Sequence, residues 1–339
     1  MTVQNAKTIY DKLKEIGMSR AQTRKILPEW WSPEIEQHSD SVAELCMLLS
    51  RRLSLDFSAL MKGEILQKEA SLSVAYKHRS DASPLSLQAA TCIATSLAQA
   101  VIAAMPKAYT PVPSAPELFT ALARDAGNGV VGLSSLIDAC WALGVPVIPI
   151  PNLPVGIRKM DGAVIKVGNR PAIIVSKKKS SRAWLAFIVA HEIGHIGCGH
   201  LERNGSIVDV SLQEQATFEA ESSSDIQERE ADNYALAMLG GDEVEQIISE
   251  WPIWSSPVDL AVKSRESATK MGIESGHFIL RYAFKSKRWP DAMTALRYLS
   301  EDADAELLMK LALQRNLDLN LVADDIRDYV CQITGMNCA

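Results

Sequence analysis

Residues 172–200 read AIIVSKKKSSRAWLAFIVAHEIGHIGCGH, and the expected architecture follows from this stretch. The run at 172–176 is apolar and β-branched, which is typical of a buried strand. The segment from Ser181 to about residue 197 is apolar and longer than a strand, so it is predicted to be a helix. An apolar helix after a buried strand packs against the sheet, so we expect the HEIGH segment at 191–195 to lie beside a sheet edge.

The composition is that of a folded protein. Of 339 residues, 47% are hydrophobic and 22% are charged, which excludes a wholly disordered chain. The 35 Lys and Arg residues against 41 Asp and Glu residues give a net charge of −6, so any nucleic-acid contact needs a local basic patch. The six cysteines include no CxxC pair, and the first residues contain no apolar run of the length that a secretory signal needs. We therefore expect a reduced, cytoplasmic protein.

One stretch, residues 86–105, has the length of a membrane span and carries no charge. It consists of Ala, Ser, Thr and Gln more than of Leu, Ile or Phe, so its transfer into lipid is only weakly favourable. We predict a buried helix of a soluble protein and no membrane association.

Turn signals and composition divide the chain into three predicted domains, at 1–82, 83–245 and 246–339. The first is expected to contain short helices, separated by turns at Gly17 and Pro28. The third shows helical patterns and no strand signal of comparable strength. The predicted fold class is α+β and predominantly helical, with a small sheet in the middle domain and helical flanks on both sides.

The strands are predicted in the middle domain, together with the helices that pack on them. Helices are expected at 117–124, 133–143 and 226–239, and strands at 145–150, 163–167 and 172–176.

The sharpest chemical signal is the HExxH pattern at 191–195. On a helix, His191 and His195 lie one above the other, so both imidazoles can reach one tetrahedral Zn²⁺. Glu192 then presents a carboxylate to the water that the metal activates. The alternative is a pair of core histidines without a metal, which is costly because it buries both rings and Glu192 in an apolar helix.

A third ligand is expected in EREADNYALAML at 228–239. The apolar residues at 231, 235 and 239 define the inward face of this helix. Glu228 lies on that face, whereas Glu230 is rotated from Glu228 by about 200°. Glu228 is therefore predicted to complete a His₂Glu ligand set. Asp232 shares the face and is expected to accept the free ring N–H of a zinc-bound histidine.

His200 extends the motif to HExxHxxxxH, but metzincin spacing places the third histidine one residue later and a glycine where Cys198 stands. His200 is therefore not predicted as a ligand. His200 and Tyr234 are candidates for an oxyanion stabiliser, beside ordinary structural roles. Two devices could control access to the metal: a lid formed by the polar stretch 201–227, or a thiolate from Cys198 or Cys338.

Four segments, in chain order, resemble the ImmA/IrrE family of metallopeptidases: GVPVIPIPNLP, GNRPAIIVS, RAWLAFIVAHEIGHIGCGH and EREADNYALAML. The resemblance covers residues 118–239, about a third of the chain. It implies a zincin-like core and zinc-dependent, selective cleavage of a partner repressor or antitoxin in stress response, mobile-element control or toxin–antitoxin control. The chain departs from the family pattern in the long insertion between the two metal helices and in GGDE at 240–243, where Met-Pro is usual.

A second resemblance concerns the N-terminal region. LSRRLSLDFSALMKGE at 49–64 resembles the last two helices of Xre-type helix-turn-helix domains, which commonly accompany ImmA/IrrE proteins. Residues 18–35 lack the usual turn and recognition-helix pattern and contain two tryptophans instead. A module that reads operator DNA and a degenerate copy kept for packing or partner binding are both open.

The expected function is that of a zinc metalloendopeptidase, in which His191, His195 and Glu228 hold Zn²⁺ and Glu192 transfers the proton. The alternative is a regulator or antitoxin that binds DNA or a toxin and whose metal site is structural or inactive. Three protein ligands and an open water position in a cleft favour catalysis, and a fourth protein ligand favours the alternative.

Overall fold

Helices form most of the described chain and surround one small mixed sheet, as the predicted α+β class requires. The computed structural model describes residues 5–38, 40–68, 74–77, 84–125, 130–176, 181–201, 205–209, 223–253, 256–299 and 305–337.

The helices in these ranges are numbered in chain order. The N-terminal ones are α1 Ala6–Leu13, α2 Arg20–Arg24, α3 Ser41–Arg52, α4 Phe57–Lys62, α5 Pro84–Ala103, α6 Ala115–Asp125 and α7 Leu133–Ala142. The later ones are α8 Arg182–Gly197, α9 Ser223–Met238, α10 Gly241–Ser249, α11 Pro257–Met271, α12 Ser275–Ser286, α13 Trp289–Arg297, α14 Ala305–Asn316 and α15 Asp324–Thr334. Single 3₁₀ turns occupy Lys14–Ile16, Ile35–Gln37 and Leu319–Leu321.

Five strands form the sheet in the order β1-β5-β3-β4-β2. They are β1 Val74–Lys77, β2 Val147–Pro149, β3 Gly162–Val167, β4 Arg170–Val175 and β5 Ser206–Asp209. β3 pairs antiparallel with β4 and β5, whereas the outer pairs β1–β5 and β2–β4 are parallel. At one end of the sheet, Asp209 of β5, Gly162 of β3 and Val175 of β4 are register partners in one row. α8 packs across β3 and β4, so this row lies beneath the helix that carries the HExxH pattern.

Three strands occur where the sequence predicts them, with bounds that differ by one or two residues. The other two were not predicted. β1 lies in the region expected to be helical, and β5 lies inside the polar stretch 201–227, which was expected to be a lid. Residues 202–204 and 210–222 of that stretch are outside the described residues. Residues 206–209 form a buried strand inside the sheet and are not part of a lid, whereas a lid or substrate-binding loop in the rest of the stretch stays a prediction.

The N-terminal helices follow the predicted turn signals with shorter bounds. Gly17 stops the first helical segment at φ +77°, a conformation that favours glycine. α2 ends at Arg24, before the predicted turn at Pro28, and the Xre-like segment 49–64 folds as the end of α3 followed by α4. Ser41 lies inside α3, and its hydroxyl donates to the His38 carbonyl.

α5 is the uncharged segment. Within the described residues it is the one helix long and apolar enough to cross a membrane, and 78% of its most apolar window is buried. Two of its buried hydroxyl groups have carbonyl partners: Thr91 donates to Leu87, and Ser96 Oγ lies 2.7 Å from the Arg52 oxygen and 3.1 Å from the Ile93 oxygen. This is the burial expected of a core helix in a soluble protein.

One continuous hydrophobic core connects residues from Ala6 to Met336. The buried Arg52 side chain at the end of α3 donates to the carbonyls of Ile26 and Asp325, so it links the N-terminal helices to α15. The Tyr329 hydroxyl of α15 donates to the Arg52 carbonyl at 2.7 Å. The three domains remain a prediction, and their flanking helices share this core.

The cysteines are in different states. Cys46, Cys92 and Cys140 are buried free thiols, Cys198 is an exposed free thiol, and Cys331 is disulfide-bonded. Cys338 lies outside the described residues. The disulfide differs from the fully reduced state expected of a cytoplasmic protein.

Candidate metal centre

α8 and α9 carry all five residues predicted for the site. The Ser181 side chain begins α8 by accepting a hydrogen bond from the Trp184 N–H. The two helices approach closely where Gly194 meets Ala231, since a Cβ added at Gly194 would lie 2.8 Å from the Ala231 Cα atom. Glu228 lies one turn before Ala231, so this contact brings Glu228 next to the histidines.

The side chains of His191, His195 and Glu228 converge on one point. The two Nε2 atoms lie 3.1 Å apart. The Glu228 oxygens lie 3.4 Å from His191 Nε2 and 3.5 Å from His195 Nε2. Ligand atoms on a tetrahedral zinc ion lie about 3.3 Å from one another, because Zn–N and Zn–O distances are about 2.0–2.1 Å. The three measured separations agree with that spacing.

The other nitrogen of each ring has its own partner. His191 Nδ1 lies 2.8 Å from Asp232 Oδ1, which as a carboxylate oxygen accepts a hydrogen bond from the ring N–H. His195 Nδ1 lies 2.9 Å from His200 Nδ1, and His200 Nε2 lies 2.9 Å from Glu230 Oε2. When His200 donates to Glu230, its Nδ1 accepts from His195. In the neutral rings both Nε2 atoms then direct lone pairs at each other, which favours a cation between them.

A fourth residue, Asp209, joins this group. Its Oδ2 atom lies 3.7 Å from both Nε2 atoms, and the ligand atoms of all four residues lie within 4.8 Å of one another. Asp209 ends β5, which sequence reasoning missed. The available signal is the short β-branched run SIVDV at 206–210, which is typical of a strand but is surrounded by polar residues.

The Glu192 carboxylate is fully buried and lies against β3, where a Cβ at Gly162 would collide with it. No N–H or hydroxyl group in the described part of the chain donates to the oxygens of Glu192 or Asp209. Burial, with the nearby charges of Glu228 and Asp161, raises the pKa of Glu192 well above its usual value. Burial also raises the pKa of Asp209, and the charges of Glu228 and Glu192 add to it. Without a cation, the carboxyl groups of Glu192 and Asp209 avoid repelling each other only when they share a proton.

These residues fit a divalent metal ion. Burial alone lowers the pKa of His191, but Asp232 and Glu228 outweigh burial and raise that pKa well above its usual value, so the site favours positive charge. His191, His195, Asp209 and Glu228 supply two imidazoles and two carboxylates, a donor set that suits zinc and several transition metals. A cation also compensates the buried carboxylate charge, which is otherwise costly.

Other candidates lie away from the convergence point. The Tyr234 hydroxyl donates to the Pro113 carbonyl, and its ring packs on Gly197, contacts that fit the ordinary structural role given as the alternative to oxyanion stabilisation. His200 contacts the outer nitrogen of His195 and therefore supports a ligand instead of facing a substrate. Cys198 is exposed and does not belong to the converging group, and Cys338 lies outside the described residues.

No protein-family model and no curated protein matches this chain.

Proposed function

We propose that this protein is a zinc-dependent endopeptidase of the ImmA/IrrE type, with a zincin-like core, that cleaves a partner repressor or antitoxin in the cytoplasm. The observation that carries the proposal is the arrangement of His191, His195 and Glu228 with their Nε2 and carboxylate atoms 3.1–3.5 Å apart, beside the buried Glu192 carboxylate. A helix that carries two histidine ligands, with an acid/base glutamate directly after the first of them, is typical of metallopeptidases.

In this proposal His191, His195 and Glu228 hold the metal, and Asp232 and His200 orient the two rings. Zinc, when bound there, supplies a Lewis acid that polarises a carbonyl and lowers the pKa of water to about 7. Glu192 accepts a proton at its carboxylate and later gives it to the leaving amine. In the described residues no N–H group donates to the Glu192 carboxylate, and its neighbour is the facing carboxyl group of Asp209.

The substrate class rests on the resemblance in sequence and not on the metal centre. An ImmA/IrrE-like enzyme beside an Xre-like region implies a repressor or antitoxin as its protein substrate, with an effect on transcription or toxin–antitoxin control. DNA binding by the N-terminal region is compatible with this role and is a separate question, because α3 and α4 alone do not make a complete operator-reading module.

One observation favours a second function. Asp209 offers a fourth protein ligand, as structural zinc sites have. In that case the protein is a DNA- or toxin-binding regulator or antitoxin, and its metal stabilises the contact between α8, α9 and β5.

The test is cleavage of candidate repressors encoded beside this protein, with zinc-loaded protein and with chelated protein. We expect a single cut that requires the metal, and no cut by Glu192→Gln at unchanged zinc content, since Glu192 is assigned the proton transfer and not a ligand role. Glu250→Gln is the matched control, because it makes the same chemical change on an exposed carboxylate outside the converging group and should keep cleaving. Cleavage by purified Glu192→Gln at the wild-type rate would refute the assigned role, and no cut in any candidate would favour the regulator.

A further inference from the structure

Asp209 differs from the other members of the metal group in where it comes from. It ends strand β5, whereas His191, His195 and Glu228 lie on two adjacent helices. Its side chain is fully buried, and no N–H or hydroxyl group of the described residues donates to either oxygen. A buried carboxylate in this state calls for a cation or a shared proton.

The distances place the Asp209 carboxylate at the remaining position of the ligand shell. His191, His195 and Glu228 supply three corners separated by 3.1–3.5 Å. Asp209 Oδ2 is equidistant from the two Nε2 atoms, at 3.7 Å from each. These separations exceed the tetrahedral value of about 3.3 Å by only a few tenths of an ångström, which a small side-chain rotation removes.

The sheet holds the Asp209 backbone in place. Asp209 pairs with Gly162 of β3, and its carbonyl accepts a hydrogen bond from the Asp161 N–H at 2.7 Å. Because these hydrogen bonds hold the backbone of β5, the Asp209 carboxylate can move relative to the metal only by rotation of its side chain. Gly162 leaves space over the sheet at this point, and the Glu192 carboxylate occupies that space next to Asp209.

We propose that Asp209 is a fourth protein ligand that closes the metal site in the resting protein. The ligand assignment needs only a bound metal, whereas its regulatory meaning rests on the proposed peptidase function. In that function, Asp209 occupies the position that a water molecule and the substrate carbonyl need, so catalysis requires the Asp209 side chain to rotate away from the metal. The site then combines a closed state, typical of structural metals, with an open state that permits catalysis.

The first test uses cobalt(II) in place of zinc and azide as a small probe of an open coordination position. We expect Asp209→Ala to bind azide at least tenfold more tightly than the wild-type protein, measured as a change in the visible spectrum of the cobalt(II) form. Asp209→Asn keeps the size of the side chain and should show the same direction of change. Asp161→Asn is the matched control, since it neutralises another buried carboxyl group at the same end of the sheet that is not among the four converging residues. Equal azide affinity in the wild type and both Asp209 variants overturns the proposal, as does an equal gain in Asp161→Asn.

The second test needs no substitution. In a crystal structure of the zinc-loaded wild-type protein, we expect an Asp209 oxygen at about 2.0–2.2 Å from the ion. An ion held by His191, His195 and Glu228 with Asp209 outside that distance overturns the proposal, however the variants behave.

The outcome for Asp209 as a fourth ligand and the outcome for the peptidase function can be told apart. If Asp209→Ala opens the site but no candidate repressor is cut, the proposed function fails and the fourth ligand stands. If the wild type cuts its substrate as fast as Asp209→Ala and both bind azide equally, the fourth ligand fails and the peptidase stands.

Discussion

At the scale of single residues, the metal centre depends on which nitrogen of each histidine carries the proton. Asp232 accepts a hydrogen bond from the Nδ1–H of His191, and His200, which donates to Glu230, accepts one from the Nδ1–H of His195. Both Nε2 atoms therefore present lone pairs that can bind a metal. Two carboxylates on α9 thus have different roles, because Glu228 faces inward and Glu230 supports the outer histidine.

Replacing these two glutamates should separate the roles. Glu228→Ala removes a ligand atom and is expected to lower zinc affinity by more than about 100-fold, whereas Glu230→Ala removes only a supporting hydrogen bond and should cost about tenfold or less. Competition with a chelating dye measures both affinities. A larger loss in Glu230→Ala than in Glu228→Ala would transfer the ligand assignment to Glu230.

At the scale of secondary-structure elements, the contact between α8 and α9 sets the distance between the two halves of the site. Gly194 is the closest point of that contact. The HEIGH segment therefore contains a packing residue as well as candidate ligands, since any side chain at position 194 forces the Ala231 backbone, and Glu228 with it, away from the histidines.

Gly194→Ala tests this packing role. Overpacking costs about 1–3 kcal/mol, against a gain of about 1 kcal/mol from the better helix propensity of alanine, so we expect a net loss of up to about 2 kcal/mol together with weaker zinc binding. Urea unfolding and chelator competition measure the two effects. Gly168→Ala is the control: it lies in the β3–β4 turn at φ +62° with open space around an added Cβ, so it should lose about 1 kcal/mol and keep its zinc affinity. Unchanged zinc affinity in Gly194→Ala would show that the helices are not held at a critical distance.

At the scale of the whole molecule, the two ends of the chain pack together. Arg52 at the end of α3 bonds to carbonyls from both terminal regions, and its guanidinium lies 5.2 Å from the centre of the Tyr329 ring. The Tyr329 hydroxyl also contacts Ser96 of α5 at 2.9 Å. The N-terminal helices and α15 are therefore expected to unfold together.

Tyr329→Phe should weaken both regions at once. The change removes the hydroxyl contacts to Arg52 and Ser96 and should lower the free energy of unfolding by about 1–2 kcal/mol, since one buried hydrogen bond contributes about 1 kcal/mol. Hydrogen exchange is expected to accelerate in α3 and α15 together. Tyr298→Phe alters a tyrosine that is 53% exposed and should change stability by less than about 0.5 kcal/mol. Faster exchange confined to α15 would show that the two terminal regions unfold independently.

The fold was predictable where one segment of chain contains its own pattern. The helix at 182–197 and the hairpin strands β3 and β4 have long apolar or β-branched runs, and both occur close to the predicted bounds. β1 and β5 have only four residues each. They form strands because β1 pairs with β5, and β5 also pairs with β3. Their stability comes from partners that are distant in sequence, which a local pattern does not contain.

The same distinction applies to the candidate site. The spacing of His191 and His195 and the inward face of Glu228 and Asp232 could be predicted from the sequence alone, because the helical period places residues three or four apart on one side. The position of Asp209 beside them, the contact of His200 with His195 and the hydrogen bond of Tyr234 to Pro113 depend on how distant segments pack. The physical reason is that ligands on one helix are related by local backbone geometry, whereas a ligand from a strand arrives through sheet pairing and helix packing between segments far apart in the chain.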